Sequence, residues 1–255
     1  MIRPLSLPNL PKGPVTVVAL SQYAPESVLR ALVDRGILTI TISPCSGLPV
    51  PERCHPDMLL CHLGGSRLLA GDGDASYLQE LQELGFCWEL ADSPPKGSYP
   101  DTISLNALLL KDRIVGLLSH VDKKITDNYK PKRQKRIFCR QGYTRCSVCV
   151  VDQNAVITAD RSIFSALTRC DPSIEVLLIS PGSVRLKGYP YGFIGGCCGL
   201  LDKNLLGFTG AIEQHPDFAA IHAFLVHHGV EYLSLSSEPL EDVGGIIPLC
   251  EDVSY

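Results

Sequence analysis

The hydrophobic pattern over residues 192–236 predicts one complete strand, strand, helix, strand unit. Two apolar runs, 193–201 and 205–209, flank a short polar turn, which is typical of a β-hairpin. Apolar residues then recur at helical spacing over 218–226, and a glycine closes the predicted helix. The segment 230–235 alternates between apolar and polar residues and predicts the last strand of the unit.

Similar units recur along the chain roughly every 45–50 residues, which is a period typical of repeat architectures. Four complete units are predicted near residues 57–92, 101–141, 144–180 and 192–236. The ends of the chain complement each other, because 241–255 offers a single strand and 15–43 offers strand, helix, strand. Radial repeats avoid exposed sheet edges by closing into a ring. The sequence therefore predicts one α/β domain over 1–255, a five-bladed α/β propeller of ββαβ units closed by the two termini.

Composition narrows the class of protein. The chain has 255 residues with a formal net charge of -4, so nucleic acid is not the expected partner. No apolar run reaches membrane-spanning length, and the proline-broken N-terminus does not resemble an export signal. The 11 cysteines are an odd number in a long chain. This pattern favours reduced thiols over a disulfide framework and predicts a cytoplasmic protein.

Four short strings carry a resemblance to a known family. They are HPDM at 55–58, GYTRCS at 142–147, GFIGG at 192–196 and EDVGGIIPL at 241–249. Together with the predicted ring, the chain resembles the pentein fold of the guanidino-group-modifying enzymes, and more closely an uncharacterised bacterial branch of that fold. The family includes arginine and agmatine deiminases, dimethylarginine dimethylaminohydrolase, amidinotransferases and the non-catalytic translation initiation factor six.

The resemblance implies a catalytic triad that this sequence does not match. The enzymes of the family use a cysteine in the last unit, and here Cys250 falls one or two positions late in GGIIPLC. A slip of one residue turns a strand side chain to the opposite face of the sheet. Phe193 stands near the position of the family's histidine, and YTRCS replaces its acidic and glycine pattern. We therefore do not expect the standard guanidino hydrolase reaction.

Three thiols remain candidates for a reactive cysteine: Cys146, Cys197 and Cys250. The alternative for each is a small buried apolar side chain. Cys146 and Cys149 form a CxxC pair, but residues three apart on a strand face opposite sides, so no metal site is predicted. Cys197 and its neighbour Cys198 are expected to point one to the pore and one to the core. No cofactor is predicted.

Polar residues near the edges of several units are candidates for one shared binding site. They are His55, Asp57, Asn106, Arg145 and Asp242. In a closed ring such positions converge on the centre, as a ligand site requires. For His55 and Asp57 the alternative is a role in turn formation and helix capping.

Three functions are compatible with this pattern. The first is binding of a small cationic or guanidino ligand in a central funnel, without the Cys-His hydrolase triad. The second is a divergent Cys-dependent guanidino hydrolase or amidinotransferase. The third is non-catalytic binding of a macromolecule, for which the basic run 130–136 is the candidate, although a solvated loop is the favoured explanation of that run. The sequence does not indicate an oligomeric state.

Overall fold

The computed structural model describes residues 2–128 and 135–253, and its strands form five small sheets. The N-terminal elements are β1 (Ile2–Pro4), β2 (Val15–Ser21), α1 (Glu26–Val33) and β3 (Leu38–Ile42). Blade 1 contains α2 (Pro56–Leu59), β4 (Leu60–Gly64), β5 (Arg67–Ala70), α3 (Tyr77–Glu83) and β6 (Cys87–Leu90). Blade 2 contains β7 (Leu108–Leu110), β8 (Arg113–Gly116), α4 (Lys123–Asn128) and β9 (Lys135–Phe138).

Blade 3 contains β10 (Val148–Asp152), β11 (Ala155–Thr158), α5 (Arg161–Cys170) and β12 (Glu175–Leu178). Blade 4 contains β13 (Cys198–Asp202), β14 (Leu205–Phe208), α6 (Phe218–His227) and β15 (Glu231–Ser234). The last strand is β16 (Ile247–Asp252), which joins the N-terminal strands as blade 5.

All five blades share one connection pattern. In blades 1 to 4 the first two strands are antiparallel, and the third strand is parallel to the second across a helical crossover. Blade 5 has the strand order β1-β16-β2-β3, so the C-terminal strand lies between strands from the N-terminus. The predicted five-bladed α/β propeller closed by both termini is confirmed.

The first strand of each unit begins later than the sequence predicts. In the units predicted from about residues 57, 101, 144, 192 and 241, the first strands begin at residues 60, 108, 148, 198 and 247. Short helical turns precede three of them, at Pro56–Leu59, Asp101–Ile103 and Gly195–Cys197. Apart from the exposed Asp101 these turns are buried, and a continuous apolar run does not distinguish a buried turn from a buried strand.

Blade 5 differs from the prediction by one extra strand, β1. It pairs with β16 through Ile2 opposite Asp252 and Pro4 opposite Cys250. The pairing of β16 with β2 is irregular between Pro248 and Cys250, where the ladder accommodates a residue without a backbone N–H. Cys250 consequently lies between two strands and is 1% exposed.

Hydrophobic cores fill the space between the sheets and their helices. Amphipathic helices cover the outside, and α5 is capped by Asp160, whose carboxylate accepts hydrogen bonds from the backbone N–H groups of Ser162 and Ile163. Of the predicted basic run, Lys130, Lys132 and Arg133 lie outside the described residues, so macromolecular binding stays a prediction from sequence. Within the described segments, none of the helices has both the length and the apolar character needed to cross a membrane.

Candidate functional site

A pocket of about 240 Å³ lies where loops before the inner strands of several blades meet. Its walls combine buried carboxylates, aromatic rings and one thiol. The lining residues are Glu52, His55, Met58, Tyr143, Cys146, Leu186, Tyr189, Pro190, Tyr191, Phe193 and Asp242. Of the five predicted ligand-binding residues, His55 and Asp242 line this pocket directly.

Two buried carboxylates, those of Glu52 and Asp242, give the pocket its acidic wall. Each residue is 4% exposed. Glu52 accepts hydrogen bonds from the hydroxyls of Tyr143, at 3.3 Å, and of Tyr189. Asp242 accepts from the backbone N–H groups of Phe193, at 2.9 Å, and Gly244, at 3.0 Å. Neutral donors therefore hold both carboxylates in place.

Tight backbone packing fixes His55 against Asp242. The Nδ1 atom of His55 lies 3.8 Å from Oδ1 of Asp242. Gly244 has a φ of +79°, and a Cβ there would lie 2.5 Å from the Cα of His55. A Cβ on Gly196 would lie 2.0 Å from Oδ1 of Asp242. These glycines permit the close approach of backbone and site side chains, and nothing here indicates a phosphate loop.

The thiol of Cys146 lies at the floor of the pocket in a buried polar network. Its S–H group donates to Oδ2 of Asp57 at 2.8 Å, and the side-chain amide of Asn106 donates to its sulfur at 3.0 Å. The side-chain Oδ1 of Asn106 accepts hydrogen bonds from the backbone N–H of Arg145 at 2.9 Å and of Cys146 at 3.3 Å. Asn106 thus positions the segment that carries the thiol, and three predicted site residues meet at one sulfur atom.

Burial controls the protonation of this network. Asp57 is 2% exposed and its Oδ1 atom has no hydrogen-bond partner. Burial, together with the nearby charge of Asp242, raises the pKa of Asp57 to about 7, against the opposing effect of His55 and Arg145. Burial also raises the pKa of the Cys146 thiol well above its ordinary value, and the carboxylates of Asp57 and Asp242 add to this effect. The thiol of Cys146 is therefore protonated at neutral pH in the ligand-free protein.

Arg145 lies outside the pocket, whereas aromatic residues form part of its wall. The guanidinium of Arg145 lies behind Asp57, where its Nε donates to Oδ1 of Asn9 at 3.0 Å, and it does not line the pocket. The rings of Tyr143 and Phe193 form one wall, with centroids 6.1 Å apart and an interplanar angle of 29°. Aromatic faces of this kind attract cations.

The other two candidate thiols do not reach the pocket. Cys250 packs in the apolar core around β16, and burial raises its pKa to about 11. Cys197 and Cys198 both lie in one hydrophobic cluster, together with Cys149, so the expected division between pore and core is wrong. The cause is the helical turn at Gly195–Cys197, because strand alternation does not apply before β13 begins.

Sequence reasoning missed Glu52 and Tyr189. Glu52 lies in the loop that precedes α2, three residues before His55, and Tyr189 lies in the loop between β12 and β13. Both loops fall outside the repeating units, where periodicity gives no information. A charged residue beside the HPD string was the one available signal for Glu52.

Solved structures similar to this chain are pentein-fold enzymes. Inosamine-phosphate amidinotransferase from Streptomyces griseus aligns with a TM-score of 0.59 and 13% identity, over 99% of this chain and 97% of that chain. DDAH from Pseudomonas aeruginosa, in complex with citrulline, has a TM-score of 0.54 and 8% identity, over 93% and 98% of the two chains. Substrate-bound agmatine deiminase of C. jejuni has a TM-score of 0.52 and 11% identity, over 92% and 91%. At these identities the likeness shows the fold alone.

The chain therefore has the pentein fold, as its sequence strings indicate. A comparison with curated proteins finds no match. The sequence matches a family of unknown function (DUF6873) over residues 19–247, and the chain belongs to this family.

Proposed function

We propose that this protein binds a small guanidino-type cation in the central pocket. The observation that carries the proposal is the charge imbalance of the site. Three buried carboxylates, on Glu52, Asp57 and Asp242, lie in or directly beneath the pocket, and among the described residues no lysine or arginine forms an ion pair with them.

The energetics of burial favour a cationic ligand. Removing a carboxylate from water costs several kcal/mol, and proteins normally offset this cost with a partner cation or by protonation. Asp57 retains a proton until near-neutral pH, whereas Glu52 relies on two tyrosine hydroxyls. A bound cation would interact favourably with all three carboxylates at once.

The size and walls of the pocket support a small planar headgroup. At about 240 Å³ it is smaller than the roughly 300–1,000 Å³ of drug-sized ligand sites. A guanidinium is planar, so it can stack on the ring of Tyr143 or Phe193 while its N–H groups reach the carboxylates. The names of the similar structures, an amidinotransferase and an agmatine deiminase, support a guanidino compound over other cations.

A matched pair of small probes tests the proposal. Methylguanidine and methylurea have nearly the same shape, but only the first is a cation. Calorimetric titration should detect binding of methylguanidine and none of methylurea. Glu52→Gln, which keeps an acceptor for the tyrosines but removes the charge, should weaken binding about tenfold, because one charge-assisted contact is worth ~1.5 kcal/mol or more. Glu231→Gln, at an exposed position of β15, is the control and should change nothing. Equal binding of both probes would overturn the proposal.

Cys146 supports a second candidate function, Cys-dependent turnover of the guanidino compound. It is the one cysteine among the lining residues, and its S–H group already points at a carboxylate whose pKa is about 7. Such a carboxylate can take the thiol proton once a bound cation lowers the thiol pKa.

The reaction would follow in two balanced steps. The sulfur of Cys146 bonds to the guanidinium carbon, one C–N bond breaks, and the departing amine takes the proton held by Asp57. Water then adds to the same carbon and the S–C bond breaks. One proton of the water returns to the thiol, the other protonates the released amine, and a ureido product remains. The net change is a guanidinium and water converted to a urea and an ammonium ion.

Thiol mapping separates the binding function from turnover. Iodoacetamide at neutral pH should alkylate Cys146 slowly while its thiol stays protonated. Methylguanidine should protect it under the binding function, with no ammonium released from agmatine or arginine. Ammonium release that disappears in Cys146→Ser but persists in Cys250→Ser would instead establish turnover.

A further inference from the structure

A second group of ionisable side chains lies between blades 3 and 4, outside the pocket lining. It consists of Glu175 at the start of β12 and of His227 and His228 at the end of α6. One nitrogen or oxygen atom from each residue lies within 4.8 Å of the others. Within residues 2–128 and 135–253, this is the one group of three His, Cys, Asp or Glu side chains with that spacing.

The distances between ligand atoms in this group suit a small, tetrahedrally coordinated metal ion. Oε2 of Glu175 lies 2.8 Å from Nε2 of His228 and 3.8 Å from Nε2 of His227. Two ligand atoms about 2.1 Å from a tetrahedral zinc ion are roughly 3.4 Å apart. The two observed separations lie on either side of that value, and all three ligand atoms lie within 4.8 Å of one another.

A fourth residue, Asp152, fixes the orientation of the His228 ring. Oδ2 of Asp152 lies 3.2 Å from Nδ1 of His228, and Oδ1 accepts from the backbone N–H of Asn154 at 2.5 Å. The ring of Phe224 packs against His228 with centroids 4.7 Å apart. A carboxylate that holds the far nitrogen of a histidine is the usual support of a metal-binding imidazole.

The chemistry of His228 leaves a place for a cation. A neutral imidazole has one N–H group, and both ring nitrogens of His228 face carboxylate oxygens. When Nδ1–H donates to Asp152, the lone pair of Nε2 faces Glu175, which is the tautomer that a metal-binding histidine uses. The C-terminal end of α6 adds partial negative charge from its terminal carbonyl groups.

We propose that Glu175, His227 and His228 bind a Zn²⁺-like divalent cation, with Asp152 as the residue that orients His228. Two imidazoles and one carboxylate favour zinc over the oxygen-seeking magnesium ion. The ion would join the helix of blade 4 to the sheet of blade 3. Because it binds the folded chain, it should raise the melting temperature in proportion to the logarithm of its concentration above Kd.

Calorimetric titration with Zn²⁺ tests this site. Exposed thiols are competing zinc ligands, and Cys87 and Cys170 are exposed, so the experiment uses the Cys87→Ser, Cys170→Ser protein as its background. We expect one equivalent of Zn²⁺ to bind with a rise in melting temperature that a chelator reverses. His228→Ala and Glu175→Gln should each weaken binding by about 100-fold, and Asp152→Asn by about 10-fold to 100-fold.

A matched histidine on the same helix provides the control. His222 is exposed on α6, where it stacks against Phe218 and contacts none of the three proposed ligands. His222→Ala should leave zinc affinity and stoichiometry unchanged. The proposal is overturned if Zn²⁺ does not bind, if Mg²⁺ binds equally well, or if the His222 and His228 variants lose affinity to the same extent.

Discussion

Two buried aspartates, Asp171 and Asp57, differ in how the cost of burying a carboxylate is offset: the first has two partner cations, and the second has none among the described residues. Asp171 is 1% exposed, and its carboxylate contacts Nε of Arg113 at 2.5 Å and Nζ of Lys135 at 2.7 Å. Burial alone would raise the pKa of Asp171, but these contacts outweigh it and hold the pKa well below its ordinary value. Asp57 is 2% exposed and has only the Cys146 thiol as a side-chain donor.

The difference separates a structural carboxylate from a candidate functional one. The chain supplies both cations for Asp171, which joins β8 and β9 of blade 2 to the end of α5 in blade 3. It supplies no ion-pair partner for Asp57 among the described residues, although such partners are common for buried carboxylates. A carboxylate that lies beside a pocket and has a strongly raised pKa is typical of residues that bind a ligand or transfer a proton. We therefore expect the two residues to respond oppositely to mutation, pH and ligand.

The largest expected effect is loss of stability on removing the charge of Asp171. Asp171→Asn removes the closer of the two carboxylates that pair with the buried guanidinium of Arg113 and leaves only Asp112, 3.0 Å away, so it should lower the free energy of unfolding by up to ~3–5 kcal/mol. Asp57→Asn at pH 5 should cost much less, because Asp57 is already uncharged there. Urea denaturation of both variants measures the difference. Equal losses of stability would contradict the distinction between an ion-paired Asp171 and a protonated Asp57.

The pH dependence of stability should also have opposite signs. The pKa of Asp57 rises from 3.8 to about 7 on folding, so the folded state holds an extra proton between these values. Stability from Asp57 is therefore fully present below about pH 4 and is lost as the pH rises to 7. At ~1.4 kcal/mol for each tenfold change in proton affinity, the loss is at most on the order of 4 kcal/mol.

Comparing the wild type with Asp57→Asn and with Asp171→Asn isolates the contribution of each aspartate to the pH dependence of stability. Relative to Asp57→Asn, the wild type should become less stable as the pH rises from 4.5 to 7.5. Relative to Asp171→Asn it should become less stable as the pH falls below about 4, because folding lowers the pKa of Asp171 from its ordinary value of 3.8. Parallel profiles for the wild type and Asp57→Asn would contradict the raised pKa.

A smaller effect should appear in the affinity for a cationic probe. Below pH 7, binding of methylguanidine next to Asp57 must displace the proton from its carboxylate, so affinity should fall about tenfold between pH 7.5 and pH 6. Asp57→Asn should bind more weakly and with little pH dependence. Calorimetry in buffers of different ionisation enthalpy counts the released protons. No proton release at pH 6.5 would place the cation away from Asp57.

The fold was largely readable from the sequence because each blade repeats one pattern of apolar residues. Errors arose at the inner ends of the blades, where Gly195–Cys197 and Pro56–Leu59 are buried helical turns. Every residue of Gly195–Cys197 is glycine or apolar, and at Pro56–Leu59 only Asp57 is not, so the period that separates helix from strand is lost. The single-domain boundary at 1–255 stays a prediction.

Only those residues of the candidate site that lie next to a repeating unit could be predicted from the sequence. Asp57 and Asn106 occupy similar positions just before inner strands, so ring closure predicted that they approach one another. Cys146 was predicted only as a separate candidate thiol, and its contact with these two residues was not predicted. Glu52 contributes from an irregular loop whose path depends on tertiary packing. Glu175 and His228 belong to different units, and no local spacing relates them. Contacts of this kind require coordinates, because they arise from the packing of one blade on the next.

The smallest effect we predict concerns the aromatic wall, which the environment of Asp171 lacks. Phe193→Leu keeps an apolar side chain but removes the ring that stacks on Tyr143. Since a cation on an aromatic face gains ~0.5–1 kcal/mol, methylguanidine affinity should fall about twofold to fivefold. Tyr232→Leu removes a ring that packs on Phe218 and His222, away from the pocket, and is the control. If both variants bind as the wild type does, the carboxylates alone recognise the cation, and the central pocket differs from the Asp171 cluster only in lacking its own lysine and arginine.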